Sequence, residues 1–194
     1  MFKQYSMGSS MNENVASRVA TLWLMGPTSA GKTTLATALE MHLHAVEGRA
    51  VTHWDGDQVR DMLGPNHGFS SDNRLLVVKT LAHLAKVTSD AGIFTIVSAL
   101  TAHDDARDLV HAVLPKLYVG YIHCSIDTCI DRDPKGLYRR AISGEIDTLI
   151  GYNSPYEPPK NPDFTIDTSR IGVSQAVKTM MRFLTARNFG VSPR

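Results

Sequence analysis

The eight residues GPTSAGKT, Gly26 to Thr33, constrain this chain more than any other stretch. They satisfy G-x-x-x-x-G-K-[ST], with the apolar run LWLM before them and the helix-spaced TTLATALEMHL after them. Strand, glycine-rich turn and helix therefore follow in the order that a phosphate-binding loop needs. Gly26 and Gly31 let the backbone turn tightly so that successive N–H groups point inward, and the helix N-terminus adds partial positive charge. The loop residues Gly26, Pro27, Thr28, Ser29, Ala30, Gly31, Lys32, Thr33 and Thr34 are the candidate nucleotide contacts. Lys32 is expected to reach the β and γ phosphates of ATP, and the Thr33 hydroxyl to ligate Mg²⁺.

The rest of the chain repeats the alternation that this loop begins. Short apolar runs at Val19 to Met25, Ala50 to Trp54, Gly92 to Ser98, Leu117 to Cys124 and Phe164 to Ile166 read as strands. Between and after them, Lys32 to Val46, Asp72 to Asp90, Arg107 to Leu114 and Val173 to Leu184 have helical spacing. This is the pattern of βαβ units and a parallel sheet covered on both faces, an α/β fold. At 194 residues with 43% hydrophobic content, the chain suits one domain with a substantial core. Residues 1–17, polar and rich in Ser and Asn, read as a disordered lead-in, and 18–194 as the single domain. Residues 131–162, proline-rich, weakly periodic and basic at their start, read as a long loop serving as a lid over an anionic ligand.

Charge and composition remove several function classes. Twenty basic residues against nineteen acidic ones leave a net charge of +1, so no global field gathers nucleic acid or an anionic membrane. No apolar run approaches the ~18 residues of a membrane span, and the N-terminal segment lacks a secretory core. Cys124 and Cys129 form neither a disulfide framework nor a zinc spacing, which fits a reduced, cytoplasmic setting. His53, His103 and His123 have no ligand spacing and read as packing or surface residues.

A phosphate loop does not say where the γ-phosphoryl goes. No guanine-reading N-K-x-D occurs, and the chain leaves little room for a motor's coupling domains, so a small-molecule kinase leads. The acceptor side would be WDGDQVR at the end of the second strand, where ligands gather in open α/β sheets. Two carboxylates there can hold Mg²⁺ through water, or one can accept the proton of an attacking hydroxyl. Arg60 can neutralise an acceptor anion bidentately. The plainer alternative is an Asp-Gly turn that starts a short helix with Asp57 as its N-cap. A nucleotide-binding sensor without transfer would have lost Lys32 or the paired acids, and both are present.

GPTSAGKTT, DGDQVR, GFSSDNR, DAG, DRDPKGLYRRA, SGEI and NSPYEPPKNP follow one another in this order, and over about residues 19 to 187 the chain resembles adenylylsulfate kinase. DPKGLY followed by SPYE is specific to that family rather than to P-loop proteins at large. The resemblance implies a P-loop kinase fold with five parallel strands, usually a homodimer, which phosphorylates the 3′-hydroxyl of adenylyl sulfate with ATP and Mg²⁺. It also implies roles: Asp57 as base, Asp55 as metal-water contact, Arg60 and Arg74 on the acceptor's phosphosulfate, and Phe69 stacked on its adenine. Lys135 would touch the acceptor from the lid, and Arg132 would lie near the ATP base.

The departures from the family pattern fall on the acceptor side. Leu100-Thr101-Ala102-His103 stands where I-S-P-[YF] is usual, so Thr101 carries the hydroxyl of the serine associated with phosphorylation in bacterial members. Val77 replaces an amide expected to face the acceptor. Leu149 replaces the phenylalanine expected as the second aromatic plate, which would cost about 0.5 to 1.5 kcal/mol of aromatic pairing. Adenylyl sulfate is the expected acceptor, and another modified nucleotide, such as cytidine diphosphoramidate, is the alternative.

Overall fold

A computed structural model describes residues 19–64 and 70–187. The segment read as a polar lead-in, and Phe69 with its expected stacking role, lie outside the described residues. In chain order the elements are β1 Thr21–Met25, α1 Lys32–Glu47, β2 Val51–Asp55, α2 Gly56–Leu63, α3 Ser71–Asp90 and β3 Phe94–Ala99. They continue with α4 Asp104–Val113, β4 Leu117–His123, α5 Ile126–Arg132, α6 Leu137–Ile142, β5 Phe164–Asp167 and α7 Val173–Ala186. The strands form one parallel sheet in the order β2-β3-β1-β4-β5. All five expected strands are present, with ends shifted by at most two residues.

The central strand explains why the sheet is covered on both faces. In TLWLM, Leu22 and Leu24 point into a core with Leu35, Leu39, Ile96, Ile122, Ile166 and Met180, while Trp23 and Met25 point into a second core with Val59, Leu81, Val97 and Val110. A strand's side chains alternate between faces, so a continuously apolar run feeds both cores. Each fully buried aliphatic side chain contributes about 1.5 to 3 kcal/mol. The α1 and α7 layer covers the first face, and α3 with α4 covers the second.

Three short helices, α2, α5 and α6, lie outside the helical spacings read from the sequence. The turn after β2 continues into α2, and the residue that caps it is Asp55 rather than Asp57: its carboxylate accepts the Asp57 N–H at 2.9 Å. The proline-rich segment is not a featureless loop. It contains α6, whose first turn is held by Asp133 accepting the Tyr138 and Arg139 N–H groups, and a bridge between Ile150 and Ser154. Tyr138, Ala141, Leu149 and Ile150 are buried. The Tyr138 hydroxyl donates to the Thr28 carbonyl of the phosphate loop at 3.1 Å, which ties this segment to the loop beneath it.

Candidate active site

Gly26 to Gly31 form the turn between β1 and α1 at the centre of the sheet, and the turn is shaped by its glycines. A Cβ on Gly26 would lie 2.2 Å from the Ile122 carbonyl oxygen of β4, closer than any side chain tolerates. Gly31, at φ +90°, stands at the start of α1 with no side chain capping the helix, so its first N–H groups face the cleft unclaimed by a cap. That arrangement presents backbone donors to an anion. Ser29, at φ +62°, is held in the left-handed region, a local strain of about 1 to 3 kcal/mol of the kind that ligand-gripping loops retain.

Lys32 Nζ donates to the Pro27 carbonyl at 2.7 Å. Desolvation in the cleft lowers its ammonium to about 8, against the opposing pull of Asp57 and Asp55. Thr33 Oγ1 donates to Asp55 Oδ2 at 2.7 Å. Asp55 is 4% exposed and also accepts from Ser98 Oγ at 2.5 Å. Burial by itself would raise this carboxyl, but the Ser98, Thr33 and Asp57 hydrogen bonds outweigh it and hold the acid below the usual carboxylate range. With its proton on Asp55, the Thr33 hydroxyl presents its lone pairs outward. One hydroxyl and one carboxylate, both oxygen donors beside a phosphate loop, fit a hard divalent cation that takes its other ligands from phosphates and water.

Across a cleft of about 820 Å³ stand the acceptor-side residues: Asp57, Arg60, Arg74, Leu100, Thr101, Lys135 and Leu149 all line it together with Lys32, Thr33 and Arg132. Asp57 is exposed and its Oδ2 pairs with Lys135 Nζ, so α2 and the lid meet over the cleft. Arg74 donates to the Thr148 carbonyl at 2.6 Å, a second tie between α3 and the lid. Burial lowers the affinity of both the Arg60 and the Arg74 guanidinium for their protons, and at Arg74 the nearby charge of Arg60 adds to it. Two partly buried guanidiniums set close together can receive an anion locally. Arg132, at the end of α5, donates to Thr168 Oγ1 at 3.1 Å and to the Thr168 carbonyl at 2.6 Å, while Thr168 Oγ1 donates to the Ala30 carbonyl at 2.8 Å. Arg132 is thereby fixed next to the phosphate loop.

Two of the expected site residues are largely enclosed. Thr101 lines the cleft, but it is 2% exposed and its hydroxyl accepts the Trp23 indole N–H at 2.9 Å. By accepting this bond the hydroxyl holds the loop after β3 against β1. Leu149 is 7% exposed and packs into the first core while lining the cleft. Val77, at 4% exposure, belongs to the second core while edging the cleft.

Sequence reasoning missed Ser98, Thr168 and Arg107. Arg107 is a buried cation whose guanidinium donates to the Thr101 and Ala102 carbonyls at 3.1 and 3.0 Å, to Asp104 Oδ1 at 3.1 Å and to the Glu157 carbonyl. It joins the loop after β3 to the far end of the lid. Nothing in its local pattern distinguishes it from a solvated helix charge, and the same holds for a lone serine at a strand end.

A parallel sheet of this order, with a phosphate loop after its central strand and a wall of acids and arginines facing that loop, defines a P-loop kinase. Comparison with known proteins narrows the class. A family model described as Adenylylsulphate kinase matches residues 18–167, and on that match the chain belongs to the adenylylsulphate kinase family. The adenylyl-sulfate kinase of Oceanobacillus iheyensis is 37% identical over 172 residues, covering 88% of this chain and 86% of the relative. That of Clostridium kluyveri is 38% identical over 167 residues, covering 86% and 83%. The Mycobacterium tuberculosis APS kinase CysC, solved in complex with AMPPNP and APS, superposes with a TM-score of 0.81 at 30% identity, covering 87% of this chain and 98% of that one.

Proposed function

We propose that this protein transfers the γ-phosphoryl group of ATP to the 3′-hydroxyl of adenylyl sulfate, giving 3′-phosphoadenylyl sulfate and ADP. The observation that carries the reading is that one cleft brings Lys32 and Thr33 of the phosphate loop opposite Asp57, Arg60, Arg74 and Lys135. Asp57 accepts the proton of the 3′-hydroxyl as its oxygen bonds to the γ-phosphorus and the bond to the ADP oxygen breaks. Arg60 and Arg74 hold the phosphosulfate, Lys135 touches the acceptor from the lid at 131–162, and Arg132 lies beside the ATP base. Thr33 and Asp55 would hold Mg²⁺, which supplies charge neutralisation between the phosphates. The family resemblance supports a homodimer and a place in sulfate assimilation. The two free, buried cysteines suit a reducing, cytoplasmic setting, and no helix among the described residues is long and apolar enough to cross a membrane. We read 18–194 as the single kinase domain.

The test is product formation: protein incubated with ATP, Mg²⁺ and saturating adenylyl sulfate is expected to yield the 3′-phosphorylated product by mass. Absence of that product, from protein that still binds ATP, overturns the assignment. A second acceptor is favoured by Val77, whose apolar side chain edges the cleft at the position where the family pattern has an amide. That acceptor is a ribonucleotide carrying phosphoramidate in place of sulfate, such as cytidine diphosphoramidate. Presenting both nucleotides in the same assay separates the two readings by product mass.

The titration of Lys32 makes a further expectation. Its ammonium is protonated below about 8 and loses its charge above it, while bound phosphates favour the charged form. ATP affinity is therefore expected to fall about fivefold between pH 8 and 9, with up to one proton taken up on binding, by linkage. Calorimetry at pH 8.5 in two buffers of different ionisation enthalpy checks it. A pH-independent affinity with no proton uptake would show that Lys32 stays charged in the free protein.

A further inference from the structure

Asp55 is held from three sides, and one of those holds is itself held. The parallel register places Asp55 of β2 beside Ser98 of β3, and His53, two residues before Asp55, lies on the same face of β2. Ser98, 2% exposed, donates its one hydroxyl proton to Asp55 Oδ2 at 2.5 Å. His53 Nε2 lies 2.8 Å from Ser98 Oγ and 4.0 Å from Asp55 Oδ2. Since the serine proton is engaged on the carboxylate, the bond between His53 and Ser98 must run from the ring, with the proton on Nε2. The remaining contacts of Asp55, Thr33 Oγ1 on Oδ2 and the Asp57 N–H on Oδ1, complete the fixation of the carboxylate plane.

We propose that Ser98, oriented by His53, is the positioning residue that presents Asp55 to the divalent cation: His53 donates to Ser98, and Ser98 locks the carboxylate. The proposal rests on the reading of Asp55 as the carboxylate of the metal site. Partners behind a metal-binding carboxylate commonly matter 10- to 100-fold in metal affinity. His53 and Ser98 touch no substrate and act only through Asp55.

The experiment is a Mn²⁺ titration followed by electron paramagnetic resonance, on the full chain with a non-hydrolysable ATP analogue. Ser98→Ala and His53→Leu are each expected to weaken Mn²⁺ binding about tenfold or more. His53→Gln, which keeps a donor near the Nε2 position, is expected to stay near wild type. The double variant Ser98→Ala/His53→Leu should be no weaker than Ser98→Ala, because residues acting in series are not additive. ¹⁵N-histidine spectra of the wild type, with His53 assigned by the signal lost in His53→Gln, should show the proton on Nε2. A proton on Nδ1, wild-type Mn²⁺ affinity in Ser98→Ala, or additive losses in the double variant each overturn the relay. Asp55→Ala separates the layers: if it leaves Mn²⁺ binding intact, the metal reading fails and the relay with it. If it impairs binding while Ser98→Ala does not, the relay alone fails.

Discussion

Asp57→Asn is expected to lower turnover about 10²-fold or more at pH 7 while ATP affinity stays close to wild type, because a positioned general base contributes about 10² to 10⁴. The geometry explains why the two effects separate. Asp57 is exposed, sits on the first turn of α2, and bonds to Lys135 of the lid rather than to the phosphate loop. Its backbone N–H, which caps onto Asp55, is unaffected by the substitution. The choice of pH matters, since the Asp57 charge helps keep Lys32 protonated and its removal pushes the lysine further down. At pH 7 that secondary loss is small, and what remains is the missing proton acceptor. Turnover measured with saturating ATP and acceptor, with ATP affinity by calorimetry, checks the prediction. Wild-type turnover would place the base elsewhere.

Gly26→Ala is expected to abolish ATP binding and to destabilise the fold by at least about 1 to 3 kcal/mol, the usual cost of overpacking. The added methyl would lie 2.2 Å from the Ile122 carbonyl oxygen, and that atom is backbone in β4, which pairs with β1 along its length. Neither strand can move without breaking the ladder between them, so the loop moves instead. Denaturant unfolding and ATP titration read the two parts. Stability and affinity both at the wild-type level would mean that the loop passes β4 less closely than this. Gly31→Ala is the milder comparison: its Cβ would meet nothing closer than 3.9 Å, so its cost comes from the positive φ alone.

The donor half of the site was legible because its chemistry is local. Eight consecutive residues carry the turn, the lysine and the hydroxyl, and the flanking apolar periodicities state which elements they join. The strands were legible for a similar reason, since LWLM is short, apolar at every position and followed at once by a glycine-rich turn, as a strand buried on both faces is. The acceptor wall was legible as a set of motifs in family order, without the geometry that joins them.

Other features depended on neighbours remote in sequence. The Thr101 hydroxyl is engaged by the indole of Trp23, 78 residues away, and Leu149 is packed in a core assembled from α1, α7 and the lid. Lys135 reaches Asp57 across the same 78-residue separation. Arg107 and Ser98 acquire their roles from carbonyls and a carboxylate delivered by other strands and loops. The sequence alone determined a phosphate loop, a doubly covered parallel sheet and the family. Only the tertiary structure decided which hydroxyls are free and which carboxylate is enclosed, because burial and hydrogen-bond partnership belong to the packed sheet and not to any single segment of the chain.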